Sequence, residues 1–174
     1  ESGRFGLAFA SGLAAANAVL QSLSAGDHVV ASQDLYGGGW RLFTRVFERF
    51  GVRFSLVDTT DPANVAAALT PDTKLLWLET PSNPLLRITD LRACAAIARN
   101  YGAGRIRVLV DNTFATPVLQ RPLDLGADIV LHSTTKYLGG HSDVIGGGLI
   151  VRDEHLYREL KFLQNATGAV PGPQ

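Results

Sequence analysis

The stretch His132-Ser133-Thr134-Thr135-Lys136-Tyr137-Leu138-Gly139-Gly140-His141 decides the reading of this chain. It follows an apolar run, Ala127 to Leu131, that reads as a buried strand. Asp111 closes an earlier apolar strand, Ile106 to Val110. Between them, Leu119 to Gly126 is long enough for a short crossover helix, so the two strands are expected to be parallel neighbours. A strand-end Asp and a strand-end Lys then point into the same crevice.

Outward from this pair, the periodicity alternates helix and strand. Helices are predicted over Ser11 to Ser24, Trp40 to Phe50, Asn64 to Leu69, Asp90 to Tyr101 and Asp153 to Leu163. The second is amphipathic, with Leu42, Phe43, Val46, Phe47 and Phe50 at about a 3.6 period. Asp61-Pro62 is a helix start signal, and Gly102 is read as the stop after Tyr101. Strands are predicted over His28 to Ser32, Arg53 to Val57, Lys74 to Glu79, Arg105 to Asp111, Asp128 to Ser133 and Val144 to Val151. This alternation predicts an α/β fold, a mostly parallel sheet sandwiched by helices. Glu79, Asp111 and Ser133 all fall at predicted carboxyl ends, where such sheets bind ligands.

Composition narrows the function. The chain has 174 residues, 46% of them hydrophobic, with 16 Lys and Arg against 16 Asp and Glu. Zero net charge and the lack of a basic stripe argue against nucleic acid as the main partner. No apolar run is long enough to span a membrane, and no signal peptide opens the chain, so the cytoplasm is the expected compartment. The one cysteine, Cys94, lies in an apolar helical pattern and reads as a buried thiol. The chain opens at Glu1 without Met and closes on the turn-like Val170-Pro171-Gly172-Pro173-Gln174. We expect a fragment of a longer protein or a partly ordered chain.

The Asp–Lys pair has a specific chemical use. A Lys amine forms a Schiff base with pyridoxal phosphate, and an Asp carboxylate keeps the pyridine nitrogen protonated. Other motifs fit that use. Phe9-Ala10-Ser11-Gly12-Leu13 places Ser-Gly at a helix start, which reads either as an anion site or as a simple N-cap. Ser133 and Thr135, two positions apart, lie on one side of an extended segment and reach a phosphate together. Tyr36 precedes three glycines and reads either as a stacking face or as a half-buried loop residue. In Glu79-Thr80-Pro81-Ser82-Asn83-Pro84, two X-Pro bonds shape a rigid turn in which a cis bond is expected. Asn83 there is a candidate partner for a ring hydroxyl or a substrate carboxylate. His141 reads as a loop-orienting residue. The sequence carries no metal-ligand cluster, P-loop or Gly-x-Ser-x-Gly elbow.

These motifs resemble the Cys/Met-metabolism family of pyridoxal-phosphate enzymes. The matching stretches are Ala8 to Ala15, Asp34-Leu35-Tyr36-Gly37-Gly38, Glu79 to Pro84, Val110-Asp111-Asn112-Thr113-Phe114 and His132 to Asp143. The resemblance implies that Lys136 is the Schiff-base lysine and that Asp111 pairs with the pyridine nitrogen. It implies that Tyr36 stacks on the ring and that Asn83 sits near the ring hydroxyl and the substrate. The backbone of Gly12 and Leu13, with Ser133 and Thr135, is implied to hold the phosphate. Leu13 stands where the family usually has Met, and Gly39 where Thr is common. The family's N-terminal phosphate-reaching segment and its C-terminal domain have no counterpart in the chain, which is read as an incomplete cofactor-binding large domain over residues 1–174. Further implications are a sulfur amino-acid substrate and a homo-oligomer, a dimer of dimers. Phe162 to Pro173 resembles the cystathionine γ-lyase and γ-synthase branch. Rival expectations are an O-acylhomoserine sulfhydrylase, a methionine γ-lyase (whose Cys is Gly38 here) or a non-catalytic scaffold.

Overall fold

The computed structural model describes residues 1–101 and 106–173. Seven strands form one sheet: β1 Phe5–Phe9, β2 His28–Ser32, β3 Arg53–Val57, β4 Thr73–Glu79, β5 Arg107–Asp111, β6 Ile129–Ser133 and β7 Gly147–Val151. Their order is β1-β7-β6-β5-β4-β2-β3. Strands β2 to β6 pair in parallel, whereas β7 runs antiparallel to both of its neighbours, β6 and β1. The expected parallel neighbours β5 and β6 are adjacent.

Helices cover both faces because the central strands are apolar on both. Helices α1 (Gly12–Leu20) and α6 (Glu154–Ala166) lie over one face. There Val19, Phe43, Trp77, Leu109, Leu131 and Leu160 share one buried cluster. Helices α3 (Pro62–Ala68) and α4 (Leu91–Asn100) lie over the other, around Val30, Leu76, Leu78, Cys94 and Val110. The split follows the period-two alternation of side chains along each strand. Each large apolar side chain buried this way contributes about 1.5–3 kcal/mol.

Caps set most helix starts as the sequence suggests. Ser11 accepts the Ala14 N–H, Asp61 that of Ala63, Asp90 that of Ala93 and Asp153 that of Leu156. Other boundaries differ from expectation. Strand β1 is not among the strands expected from the sequence. Helix α1 stops at Leu20, because Ser24 and Asp27 close a turn on each other. The segment predicted as one helix over Trp40 to Phe50 begins earlier, as α2 (Gly37–Arg41), then widens into a π turn over Leu42–Val46. It tightens into a 3₁₀ turn over Phe47–Phe50. Phe43 stays buried by stacking on Phe54, whereas Phe50 is exposed.

The expected crossover helix over Leu119 to Gly126 is two single turns, α5 (Thr116–Leu119) and a 3₁₀ turn at Pro122–Leu125. Pro122 keeps them apart, since a proline disfavours helix at the residue before it, here Arg121. Strand β7 starts at Gly147, not Val144. The predicted strand start at Arg105 and helix stop at Gly102 lie outside the described residues.

Candidate active site

A cavity of about 330 Å³ opens beyond the carboxyl ends of β4, β5 and β6. Its walls include Gly12, Leu13, Tyr36, Asn83, Asp111, Ser133, Thr135 and Lys136. All eight sequence-predicted site residues therefore meet at one place.

The floor is acidic. Glu79 and Asp111 are register partners on β4 and β5, so their side chains leave the sheet on one face. Asp111 Oδ1 accepts the Thr113 N–H at 3.0 Å and the Thr113 hydroxyl at 2.6 Å. Thr113 Oγ1 in turn accepts the Ser133 N–H at 2.9 Å, which ties β5 to the end of β6. Glu79 accepts the Tyr36 N–H and the Asn83 N–H, each at 2.9 Å. Burial, then the neighbouring Asp111 carboxylate, push the Glu79 carboxyl up to about 8. Burial raises Asp111 as well, against the Thr113 hydrogen bonds and the influence of His132. Two buried carboxyl groups facing one cavity favour a cationic occupant.

The opposite end has the other polarity. Ser11 Oγ takes the Ala14 N–H, so the N-cap reading of Ser11 holds. The first amides of a helix have no intrahelical acceptor, and Gly12 and Leu13 bring theirs to the cavity wall. Close packing fixes this helix start. A Cβ on Gly12 would lie 2.9 Å from Ser133 Cβ, and one on Gly147 would lie 2.1 Å from Ser11 O. Only glycine admits those approaches.

Lys136 lies in the turn that follows β6. Its N–H bonds Ser133 O at 3.2 Å, and Gly140 N bonds Lys136 O at 2.8 Å. Among the described residues, its ammonium has no hydrogen-bond or ion-pair partner. Thr135 belongs to the same turn, which corrects the expectation of an extended segment: its hydroxyl accepts the Gly146 N–H at 3.1 Å and donates to Gly146 O at 3.3 Å. The turn still leaves Thr135 and Ser133 on the cavity wall. Tyr36 is 45% exposed, and its ring lies so close over Gly38 that a Cβ there would stand 2.3 Å from Cε1. Both X-Pro bonds of the 80–84 turn, Thr80-Pro81 and Asn83-Pro84, are cis. His141 bonds Gly139 O through Nδ1 at 3.0 Å and stays outside the cavity wall, as a loop-orienting residue does.

From the sequence, Glu79 is legible only as a strand-end residue, and Thr113 is not singled out. Thr113 carries a legible signal, the Asp-x-Thr spacing of an Asx turn. Trp77 and Phe114 also line the cavity, and their apolar character gives no sign of it.

The donor set fits pyridoxal phosphate. Carboxyl groups at one end suit a protonated ring nitrogen, helix amides at the other suit a phosphate, and a lysine shares the same wall. Among the described residues, no group of His, Cys, Asp and Glu could hold a metal ion, and no helix is long and apolar enough to cross a membrane.

Comparison with known proteins gives the same picture. A probable cystathionine gamma-synthase of Herpetosiphon aurantiacus is 54% identical over 173 residues, 99% of this chain and 53% of that protein. A cystathionine beta-lyase of Coxiella burnetii is 54% identical over 175 residues, 99% of this chain and 44% of that protein. The chain thus spans about half the length of the relatives it matches. The crystal structure of cystathionine gamma-lyase from Lactobacillus plantarum complexed with L-serine superimposes with a TM-score of 0.95 at 52% identity. It covers 99% of this chain and 44% of that one. The model of the Cys/Met metabolism PLP-dependent enzyme family matches residues 1–174, and the chain belongs to that family.

Proposed function

We propose that the whole protein is a pyridoxal-phosphate-dependent transsulfuration enzyme acting at the γ-carbon of cystathionine-type sulfur amino acids, as a γ-lyase or γ-synthase. The observation that carries this reading is the meeting of Asp111, Lys136 and the α1 amides on one cavity of opposite-ended polarity. Residues 1–174 then form the cofactor-binding part of a longer chain.

Bound pyridoxal phosphate supplies an electron sink for negative charge developing at the substrate α-carbon. The residues of this chain do the rest. Gly12 and Leu13 N–H groups, with the Ser133 and Thr135 hydroxyls, bind the phosphate. Asp111 holds a proton on the ring nitrogen, and Thr113 orients Asp111 through two hydrogen bonds to Oδ1. Lys136 Nζ would hold the cofactor and, as a free amine, would take the α-proton and return it elsewhere. Tyr36 would stack on the ring and assist proton transfer, and Asn83 would serve the ring hydroxyl and the substrate.

A β-lyase is the second reading, favoured by a named β-lyase at the same 54% identity as the γ-synthase. We also propose a cytoplasmic homo-oligomer, a dimer of dimers. The exposed Val118, Leu119 and Ile145 side chains support an assembly that covers them. Product analysis tests the chemistry. Incubating the whole protein with pyridoxal phosphate and cystathionine should give 2-oxobutyrate for a γ-lyase. Cystathionine made from cysteine and an O-acylhomoserine marks a γ-synthase. Pyruvate from cystathionine would move the assignment to the β-carbon, and no product in either assay would sink it.

A further inference from the structure

Glu79 is engaged by two loops rather than by a cation. Its Oε2 accepts the Tyr36 N–H and its Oε1 the Asn83 N–H, each at 2.9 Å. Among the described residues, no Lys, Arg or His forms an ion pair with it. Asp34 adds a second tie between the same loops, accepting the Ser82 hydroxyl and the Leu85 N–H on Oδ2. Glu79 is itself only 7% exposed and sits at the end of a central strand, a rigid base for both bonds.

We propose that Glu79 is a positioning residue that sets Tyr36 and Asn83 as one unit against the cofactor ring. This rests on the roles proposed above for those two residues. The carboxyl group suits the task because each of its two oxygens accepts one N–H. Glutamine offers one oxygen and an amide NH₂, so one loop would meet donor against donor. Aspartate keeps the carboxyl group but is one methylene short.

The test uses the whole protein. Glu79→Gln should speed hydrogen exchange at the Tyr36 or Asn83 amide roughly tenfold and weaken pyridoxal phosphate binding roughly tenfold, the loss of one such bond. The visible absorbance of the bound cofactor should persist, since Lys136 and Asp111 are untouched. In a Tyr36→Ala, Asn83→Ala background, the same substitution should change affinity less than about twofold, because the groups it positions are gone. A merely structural role would instead add in full. Should Glu79→Gln fail to fold, Glu79→Asp carries the same measurements. Unchanged amide exchange, affinity within about twofold of wild type, or full additivity overturns the role of Glu79 alone. A wild-type protein without any visible cofactor band overturns both this inference and the cofactor assignment beneath it.

Discussion

The two edges of the sheet bury ionisable groups in opposite ways. At the amino edge, His28 of β2 is 5% exposed and has both ring nitrogens engaged, by Thr73 Oγ1 at 2.8 Å and Ser55 Oγ at 2.9 Å. Burial first, then Arg53, keep it neutral below its usual range. At the carboxyl edge, Glu79 and Asp111 stand side by side and are raised instead. One edge satisfies its polar groups internally. The other leaves an electrostatic demand that a cationic ligand relieves. The pH signs follow. Unfolded His28 takes up a proton as pH falls through 6.5 while folded His28 does not, so its penalty grows on acidification below 6.5. Glu79 ionises at about 4.5 unfolded and about 8 folded, so its penalty grows as pH rises through that window.

The sharpest way to break this contrast is Asp111→Ala in the whole protein. Turnover should fall roughly 10²–10³-fold, the scale of removing one charge-stabilising group, while a visible cofactor band remains. Near-normal turnover would remove Asp111 from the mechanism. Gly147→Ala comes next. Its Cβ would press on Ser11 O and displace the α1 start, so pyridoxal phosphate affinity should drop roughly tenfold in an equilibrium titration. His28→Ala tests the amino edge: it should cost about 1–3 kcal/mol in denaturant unfolding and leave cofactor affinity unchanged. A change in affinity would mean the edges are coupled. The smallest effect is a sign. Without cofactor, the thermal midpoint of Glu79→Gln relative to wild type should be higher at pH 8 than at pH 4.5, because only the wild type carries the penalty that grows across that window. A gain that does not vary with pH would contradict the raised Glu79.

Much of the carboxyl edge is legible in the sequence because strand-end position and period-two alternation are local signals. They place Asp111, Ser133 and Lys136 at one crevice. Glu79 and its two loops are not legible as a unit, because its partners are backbone N–H groups that nearly any residue supplies. Strand β1 escapes for a related reason: it pairs with β7, far along the chain, and its outward residues are only Gly6 and Ala8. Thr135 reads as extended in the sequence because its turn is fixed by the Gly146 backbone, which carries no local signal. The Trp40 to Phe50 stretch keeps a helical apolar period, yet a π turn interrupts it, which the spacing alone does not encode.

The most direct test of the central claim is the visible absorbance of the whole protein with pyridoxal phosphate, wild type beside Lys136→Ala. We predict a band in the wild type that shifts on adding cystathionine, and its loss in Lys136→Ala. A band that survives Lys136→Ala unchanged, or a wild type with none, would contradict the assignment of Lys136 as the Schiff-base lysine.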